Sequence, residues 1–109
     1  MCIFEQWVQP AKGAPSHSHF VEEVLTVLAG EAVMWIDDKR AMVKSGQSLV
    51  IPALRRHGFR NAGSGVLHVH AVLSSPIFEA VVEGLQEPVR RWFAEPVARG
   101  SERTCSQDP

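Results

Sequence analysis

The sequence is poor in cysteine. Its 109 residues contain two cysteines, Cys2 and Cys105, which lie near opposite ends of the chain and form no Cys-x-x-Cys pair. The spacing excludes a zinc knuckle and a thioredoxin-like redox motif. We expect two unpaired thiols, although many folds would also allow a disulfide between the two ends.

The sequence also lacks an excess of charge and any long hydrophobic run. Eleven Lys and Arg residues nearly balance twelve Asp and Glu residues, and no basic run exceeds an arginine pair. The chain therefore has no broad positive field for a phosphate backbone, and we expect no nucleic-acid partner. No apolar run approaches the ~20 residues that span a bilayer. Because Glu5 interrupts the N-terminal stretch where a signal peptide has its apolar core, we expect a cytoplasmic protein without a membrane partner.

The pattern of apolar residues predicts an all-β domain. Short apolar stretches separated by turn signals recur over the first 73 residues without a sustained helical period. One example is the stretch from Ser48 to Ile51, which stops at Pro52 because proline does not donate to a central ladder. This spacing favours a sandwich or barrel. A single domain of this length does not require a structural metal for stability, so any bound metal is expected to serve function.

The pattern changes after Ser75. Pro76 suits the first position of a helix, and apolar residues then return at helical spacing through Leu85. These features predict a short C-terminal helix, followed by a second helical turn or an arm that packs Trp92 and Phe93 on a neighbour. We expect one domain over residues 1–95 and a flexible polar tail over residues 96–109.

The five histidines are clustered in the sequence. Two of the clusters are His-x-His pairs, and residues i and i+2 of a strand point to the same face, so His17 and His19 are expected to converge. Glu23 would add a carboxylate, and His57 on a later strand would complete a set of three imidazoles and one carboxylate. Such a set suits a first-row transition metal and leaves coordination positions open for catalysis. The alternative is that these are scattered surface histidines on loops.

The order of these residues resembles the two motifs of the cupin superfamily. The two stretches read His17-x-His19-x₃-Glu23-x₆-Gly30 and Gly46-x₅-Pro52-x₄-His57-x₃-Asn61. The resemblance runs from about Ala11 to Leu73 and implies a jelly-roll β-barrel. It also implies one divalent transition metal (Fe, Zn, Mn, Ni or Cu), with the ligands His17, His19, Glu23 and His57.

Two positions depart from the family pattern. Ala11 stands six residues before the first histidine, and Leu54 stands two residues after Pro52, where the family usually has glycine. Glycine at such positions permits a positive φ that leucine resists. We therefore expect the turn before His57 to take another form, with both changes affecting fine geometry more than the ligand set.

Three further residues are candidates for a substrate pocket. His68 and His70 share one face of the predicted strand from Val66 to Leu73, and aliphatic residues occupy the other face. If the aliphatic face packs in the barrel, the histidines lie outside it; if the histidines face inward, His70 is the better candidate for contact with substrate. Trp35 alternates with Val33 and is a candidate for the pocket mouth, the alternative being a core or interface role.

The predicted function is that of a metal-dependent enzyme acting on a small oxygenated organic molecule. The resemblance implies dioxygenase, isomerase or polyketide-cyclase chemistry, with Glu23 either a ligand throughout or a general base. The alternative is a cupin that binds or senses a small ligand without turnover. We expect a homodimer, because an open jelly roll leaves sheet edges that need covering.

Overall fold

The computed structural model describes residues 1–92, which form two antiparallel β-sheets. One sheet has the strand order β1-β8-β3-β6, and the other has the order β10-β9-β2-β7-β4-β5. The described residues contain no helix, and hence none that could cross a membrane. The strands are β1 (Cys2–Val8), β2 (Gly13–Ser18), β3 (Glu23–Ala29), β4 (Glu31–Ile36), β5 (Lys39–Lys44), β6 (Ser48–Ile51), β7 (His57–Asn61), β8 (Leu67–Leu73), β9 (Phe78–Val82) and β10 (Val89–Arg91).

The inner faces of the two sheets form the core. In β8 the aliphatic residues Leu67, Val69, Ala71 and Leu73 are almost fully buried, which decides between the two orientations that the alternation left open. Met34 and Phe59 pack from the opposite sheet into the same core. Full burial of each large apolar side chain contributes about 1.5–3 kcal/mol. The all-β jelly-roll prediction is confirmed.

The helix predicted after Pro76 is wrong. Residues Phe78–Val82 form β9, in which Phe78, Ala80 and Val82 point toward the interior. An apolar run of this length satisfies both a period of two and a helical period, and pairing of β9 with β2 and β10 decides in favour of the strand.

The chain beyond β9 does not form a helical turn either. Residues Val89–Arg91 form β10. Trp92 packs on its own chain, with its ring centroid 5.1 Å from that of Phe4 and 5.8 Å from that of Phe78. Phe93 and the tail predicted over residues 96–109 lie outside the described residues. The homodimer, the cytoplasmic location and the domain limit at residue 95 stay predictions.

The turn before His57 keeps a left-handed backbone despite its leucine. Leu54 has φ = 69°, and Ala11 at the other departure from the family pattern has φ = 66°. The expected change of turn form at Leu54 is therefore wrong. The Leu54 amide donates a 2.8 Å hydrogen bond to the His19 carbonyl, which ties the turn to the loop that carries a candidate ligand. A left-handed conformation costs a residue with a Cβ about 1–2 kcal/mol.

The expectation of two unpaired thiols is wrong for Cys2. Its side chain is fully buried at the start of β1, and it is disulfide-bonded. Cys105 lies outside the described residues.

Candidate metal centre

Two neighbouring strands bring His17 and His57 together. His17 in β2 pairs directly with His57, the first residue of β7, and their ring centroids are 4.3 Å apart. The pairing of β2 with β7 shifts register between Ala14 and His17, an irregularity that commonly re-aims side chains near functional sites. His19 follows the end of β2, and its ring centroid lies 4.9 Å from that of His17. The predicted convergence of the His-x-His pair is confirmed.

Glu23 reaches the three imidazoles from the opposite sheet. It is the first residue of β3, and it is buried on the inner face of that strand with Leu25. Its Oε1 lies 3.0 Å from His57 Nε2 and 3.3 Å from His19 Nε2. One donor atom from each of the four residues lies within 4.8 Å of all the others. The site therefore bridges the two layers of the fold.

Backbone carbonyls orient each imidazole in the same way. The Nδ1 atom of His17 donates to the Pro15 carbonyl over 2.7 Å, and His19 Nδ1 donates to the Glu79 carbonyl over 2.8 Å. His57 Nδ1 donates to the Arg55 carbonyl over 2.9 Å. Because Nδ1 carries the proton in each ring, each neutral imidazole presents an unprotonated Nε2 to the cluster, which is the usual arrangement of metal-ligating histidines.

The donor set fits a cation. With the Nδ1 atoms protonated, three Nε2 lone pairs and a carboxylate face one another, and they repel unless a proton or a metal ion lies between them. His19 Nε2 is buried and accepts no hydrogen bond within residues 1–92. A buried polar atom without a partner is costly. Three imidazoles and one carboxylate are ligands that suit Zn, Fe, Ni and Cu.

The pKa values of His17, His19 and Glu23 depend on their burial and on their contacts with one another and with His57. Burial, reinforced by the neighbouring His57, lowers the pKa of His17 to about 4, so His17 is neutral at physiological pH. Burial alone would raise the pKa of Glu23, but contacts with His19 and His57 outweigh burial and lower this pKa to about 2. For His19, burial acts to lower the pKa, and the Glu23 carboxylate outweighs it and raises the pKa. The carboxylate is therefore ionised beside at least one neutral imidazole.

A cavity of about 280 Å³ adjoins the cluster. His17, His19 and Glu23 line it at one side, and apolar residues form most of its walls. Phe78 forms an aromatic part of the wall next to the cluster. Its ring centroid lies 5.4 Å from that of His19, and the two rings meet edge to face. The cavity has room for a small organic molecule in contact with the donor atoms.

The residues predicted for the pocket lie elsewhere. His68 and His70 occupy the outer face of the four-stranded sheet, because the aliphatic residues of β8 take the inner face. His68 stacks on Trp7 at 4.5 Å and contacts Glu5 Oε1 at 2.8 Å. Trp35 lies on the outer face of the other sheet, where Arg40 sits over its ring. None of the three predicted pocket residues lines the cavity.

Sequence reasoning missed the cavity residues on the last strands. Phe78, Val89 and Arg91 line the cavity from β9 and β10. The sequence pattern predicted a helix over the stretch that forms β9. A helix there would have placed Phe78 on a different surface, so Phe78 was not recognised as a cavity residue. The alternation of Phe78, Ala80 and Val82 was the signal available for a strand.

Comparison with known proteins supports the two-sheet fold. The chain has no match among curated proteins. Among solved structures it is similar to an oxalate oxidase with 21% identity and a TM-score of 0.69, over 78% of this chain and 49% of that one. It is also similar to the TT1209 protein of Thermus thermophilus, with 24% identity and a TM-score of 0.58, over 63% of this chain and 69% of that one.

These similarities concern the fold. A third similar structure, of DMSP lyases, has 21% identity and a TM-score of 0.58, and this chain covers 40% of its length. The chain thus spans about half of the oxalate oxidase and less of the lyase. The family model described as Cupin domain matches residues 4–73, which hold all four clustered side chains and more than half of the sequence. With that match and the two-sheet fold, the chain belongs to the cupin family.

Proposed function

We propose that this cupin binds one divalent transition metal through His17, His19, Glu23 and His57 and acts as an enzyme on a small oxygenated organic molecule. The observation that supports the proposal most directly is the buried His19 Nε2 without a hydrogen bond within residues 1–92, facing Glu23 Oε1 at 3.3 Å beside the cavity. A solvated surface cluster would not leave such an atom buried.

The chain's own residues have distinct roles in this proposal. When bound, the metal supplies Lewis-acid chemistry, or oxygen chemistry if it is Fe(II). His17, with its pKa of about 4, stays neutral at physiological pH and offers a lone pair without prior loss of a proton. The apolar walls make the substrate side of the cluster less polar than bulk water.

Glu23 is better suited to a ligand role than to a general base. A general base works best with a pKa near the operating pH. The pKa of Glu23 is lowered to about 2, because His19 and His57 outweigh the effect of burial. We therefore assign Glu23 to metal binding and to holding negative charge next to the cation.

The apolar cavity indicates a substrate of limited size. A volume of about 280 Å³ holds a small molecule rather than a polymer segment. Among the structures that share this fold, an oxalate oxidase is in complex with the substrate analogue glycolate, which is likewise small and oxygenated. Oxygen functions bind hard and borderline cations well, so such a group would be directed toward the cluster.

Metal analysis tests the binding part of the proposal. Purified protein is stripped with a chelator, loaded in turn with Zn²⁺, Fe²⁺, Mn²⁺, Ni²⁺ or Cu²⁺, desalted and analysed by mass spectrometry. We expect one metal per chain in the wild type and in His70→Ala, a control outside the cavity, and almost none in His57→Ala. Equal metal content in all three proteins would contradict the site.

Turnover assays test the enzymatic part. Substrate-dependent oxygen uptake by iron-loaded protein would indicate a dioxygenase, and product formation without oxygen uptake would indicate an isomerase or cyclase. Saturable ligand binding without turnover would instead support the non-catalytic binding or sensing function.

A further inference from the structure

The cavity contains two polar side chains that the metal cluster does not use. Gln6 lies on the inner face of β1 together with Phe4, and Arg91 lies on the inner face of β10 together with Val89. Apart from these two and the cluster residues, the residues that line the cavity are apolar. A charged group at the edge of an otherwise apolar cavity restricts what the cavity binds.

The ring of Phe78 lies between Arg91 and the cluster. Its Cζ atom is 5.9 Å from the ring centroid of Phe78, and that centroid is 5.4 Å from the ring centroid of His19. A single small molecule that lies along the Phe78 ring can therefore contact both the donor atoms and the guanidinium.

The guanidinium of Arg91 differs from that of Arg90 in its contacts with the described part of the chain. Within residues 1–92 no carboxylate forms an ion pair with it, whereas the neighbouring Arg90 forms one with Glu79. The two arginines alternate along β10, so Arg90 points away from the cavity that Arg91 lines. Arg91 is exposed, which places its charge at the mouth rather than in the interior.

We propose that Arg91 binds a carboxylate of the substrate, with the Gln6 amide as a second polar contact in the same cavity. The substrate class is then a small organic acid with an apolar body, a carboxylate at the Arg91 end and an oxygen function at the cluster. Guanidinium groups bind carboxylates through two parallel hydrogen bonds, which gives both affinity and orientation. The placement of the substrate's oxygen function at the cluster rests on the proposed function. The placement of its carboxylate at Arg91 rests on the cavity alone.

Two probes of equal shape test the carboxylate end. Metal-free protein is titrated with phenylacetate and with phenylacetamide, and binding is followed by amide chemical shifts in NMR spectra. Removal of the metal prevents the probe carboxylate from binding a cation at the cluster. We expect the wild type to bind phenylacetate about tenfold more tightly than phenylacetamide, as charge-assisted hydrogen bonds predict.

Substitutions at the two arginines identify the source of this preference. Arg91→Gln is expected to bind both probes equally, Arg91→Lys to keep part of the preference, and Arg90→Gln to keep all of it. The spectra also show whether each variant is folded.

The proposal is overturned if Arg91→Gln keeps the wild-type preference, if the wild type binds both probes equally, or if phenylacetate does not bind at millimolar concentration. These outcomes are independent of the metal analysis with His57→Ala. If the metal analysis shows no specific binding at the cluster while the wild type still prefers phenylacetate over phenylacetamide, only the proposed function is contradicted.

Discussion

Trp35 Nε1 donates a hydrogen bond to Ser16 Oγ over 3.0 Å, on the face of the six-stranded sheet opposite to the cluster. Ser16 directly precedes His17. The same indole covers Gly58, which directly follows His57, and a Cβ built on Gly58 would lie 2.5 Å from Trp35 Cζ2. Trp35 on β4 thus contacts both strands that carry candidate histidine ligands, β2 and β7, on the face of the sheet outside the site.

Replacement of Trp35 is expected to weaken metal binding. Trp35→Phe removes both the hydrogen bond to Ser16 and the Cζ2 atom that packs closest to Gly58, so the ligand strands stay paired but less well fixed. Partners that orient metal ligands typically change affinity about 10- to 100-fold, and we expect about a tenfold loss here. Competition with a chromophoric zinc chelator measures the affinity.

Trp7→Phe is the control for this substitution. Trp7 is 51% exposed and stacks on His68, away from the cluster. Equal zinc affinity of Trp35→Phe and Trp7→Phe would show that Trp35 does not position the ligands.

A methyl group at Gly58 is expected to destabilise the fold. The Cβ would meet both Trp35 Cζ2 at 2.5 Å and the Ala14 carbonyl oxygen at 2.7 Å, and backbone does not yield easily. Overpacking of this kind costs about 1–3 kcal/mol. Urea unfolding of metal-free Gly58→Ala measures the free energy of unfolding, with Gly65→Ala as the control because no atom lies near its added Cβ. A loss in Gly58→Ala no larger than in the control would be inconsistent with close packing at this glycine.

Relief of the left-handed backbone at Leu54 is expected to stabilise the protein. Leu54 has φ = 69° and a side chain that is 66% exposed, so Leu54→Gly removes strain and little buried surface. The gain of about 1–2 kcal/mol from strain is partly offset by the greater freedom of glycine in the unfolded chain.

We therefore expect Leu54→Gly to raise the free energy of unfolding by up to about 1 kcal/mol. Leu54→Ala keeps the Cβ and the strained conformation, so it is expected to unfold like the wild type or slightly more easily. Thermal and urea unfolding compare the three proteins. If Leu54→Ala stabilised the chain as much as Leu54→Gly, the cause would be the lost leucine side chain and not the backbone.

Acid is expected to destabilise the metal-free protein through His17. The pKa of His17 falls from 6.5 to about 4 on folding, mainly because the ring is buried. Below pH 6.5 the unfolded chain binds a proton that the folded chain does not bind, so the stability contributed at neutral pH is lost as pH falls toward 4. The loss is at most about 3 kcal/mol. His19, with its raised pKa, acts in the opposite direction and stabilises the fold at lower pH.

Comparison with a variant isolates the His17 contribution. His17→Gln lacks this imidazole, so its free energy of unfolding is expected to fall less than that of the wild type between pH 7 and pH 4. Glu23, whose pKa is lowered to about 2, adds a loss below pH 4.5 in both proteins. Urea unfolding across this range with a chelator present checks the difference, and parallel profiles for the two proteins would contradict it.

Much of the architecture and the cluster could be predicted from residue order. Alternation in β8 separated an aliphatic face from a face with His68 and His70, and the spacing of His17, His19, Glu23 and His57 identified the four side chains that the fold brings together. These features depend on local periodicity and on motif spacing, which a single sequence carries. The turn at Leu54 was predicted less well, because local preference disfavours a left-handed leucine and the tertiary contact of its amide with His19 outweighs that preference.

Sequence alone therefore determined the fold class and the identity of the clustered side chains. Tertiary structure decided that the segment after Pro76 is a strand, since the pairing of β9 with β2 and β10 overrides an ambiguous apolar pattern. It also decided that Trp35, His68 and His70 face away from the cavity and that Arg91 faces into it. The physical reason is that the direction of a side chain depends on strand pairing between distant segments, which short-range patterns do not record.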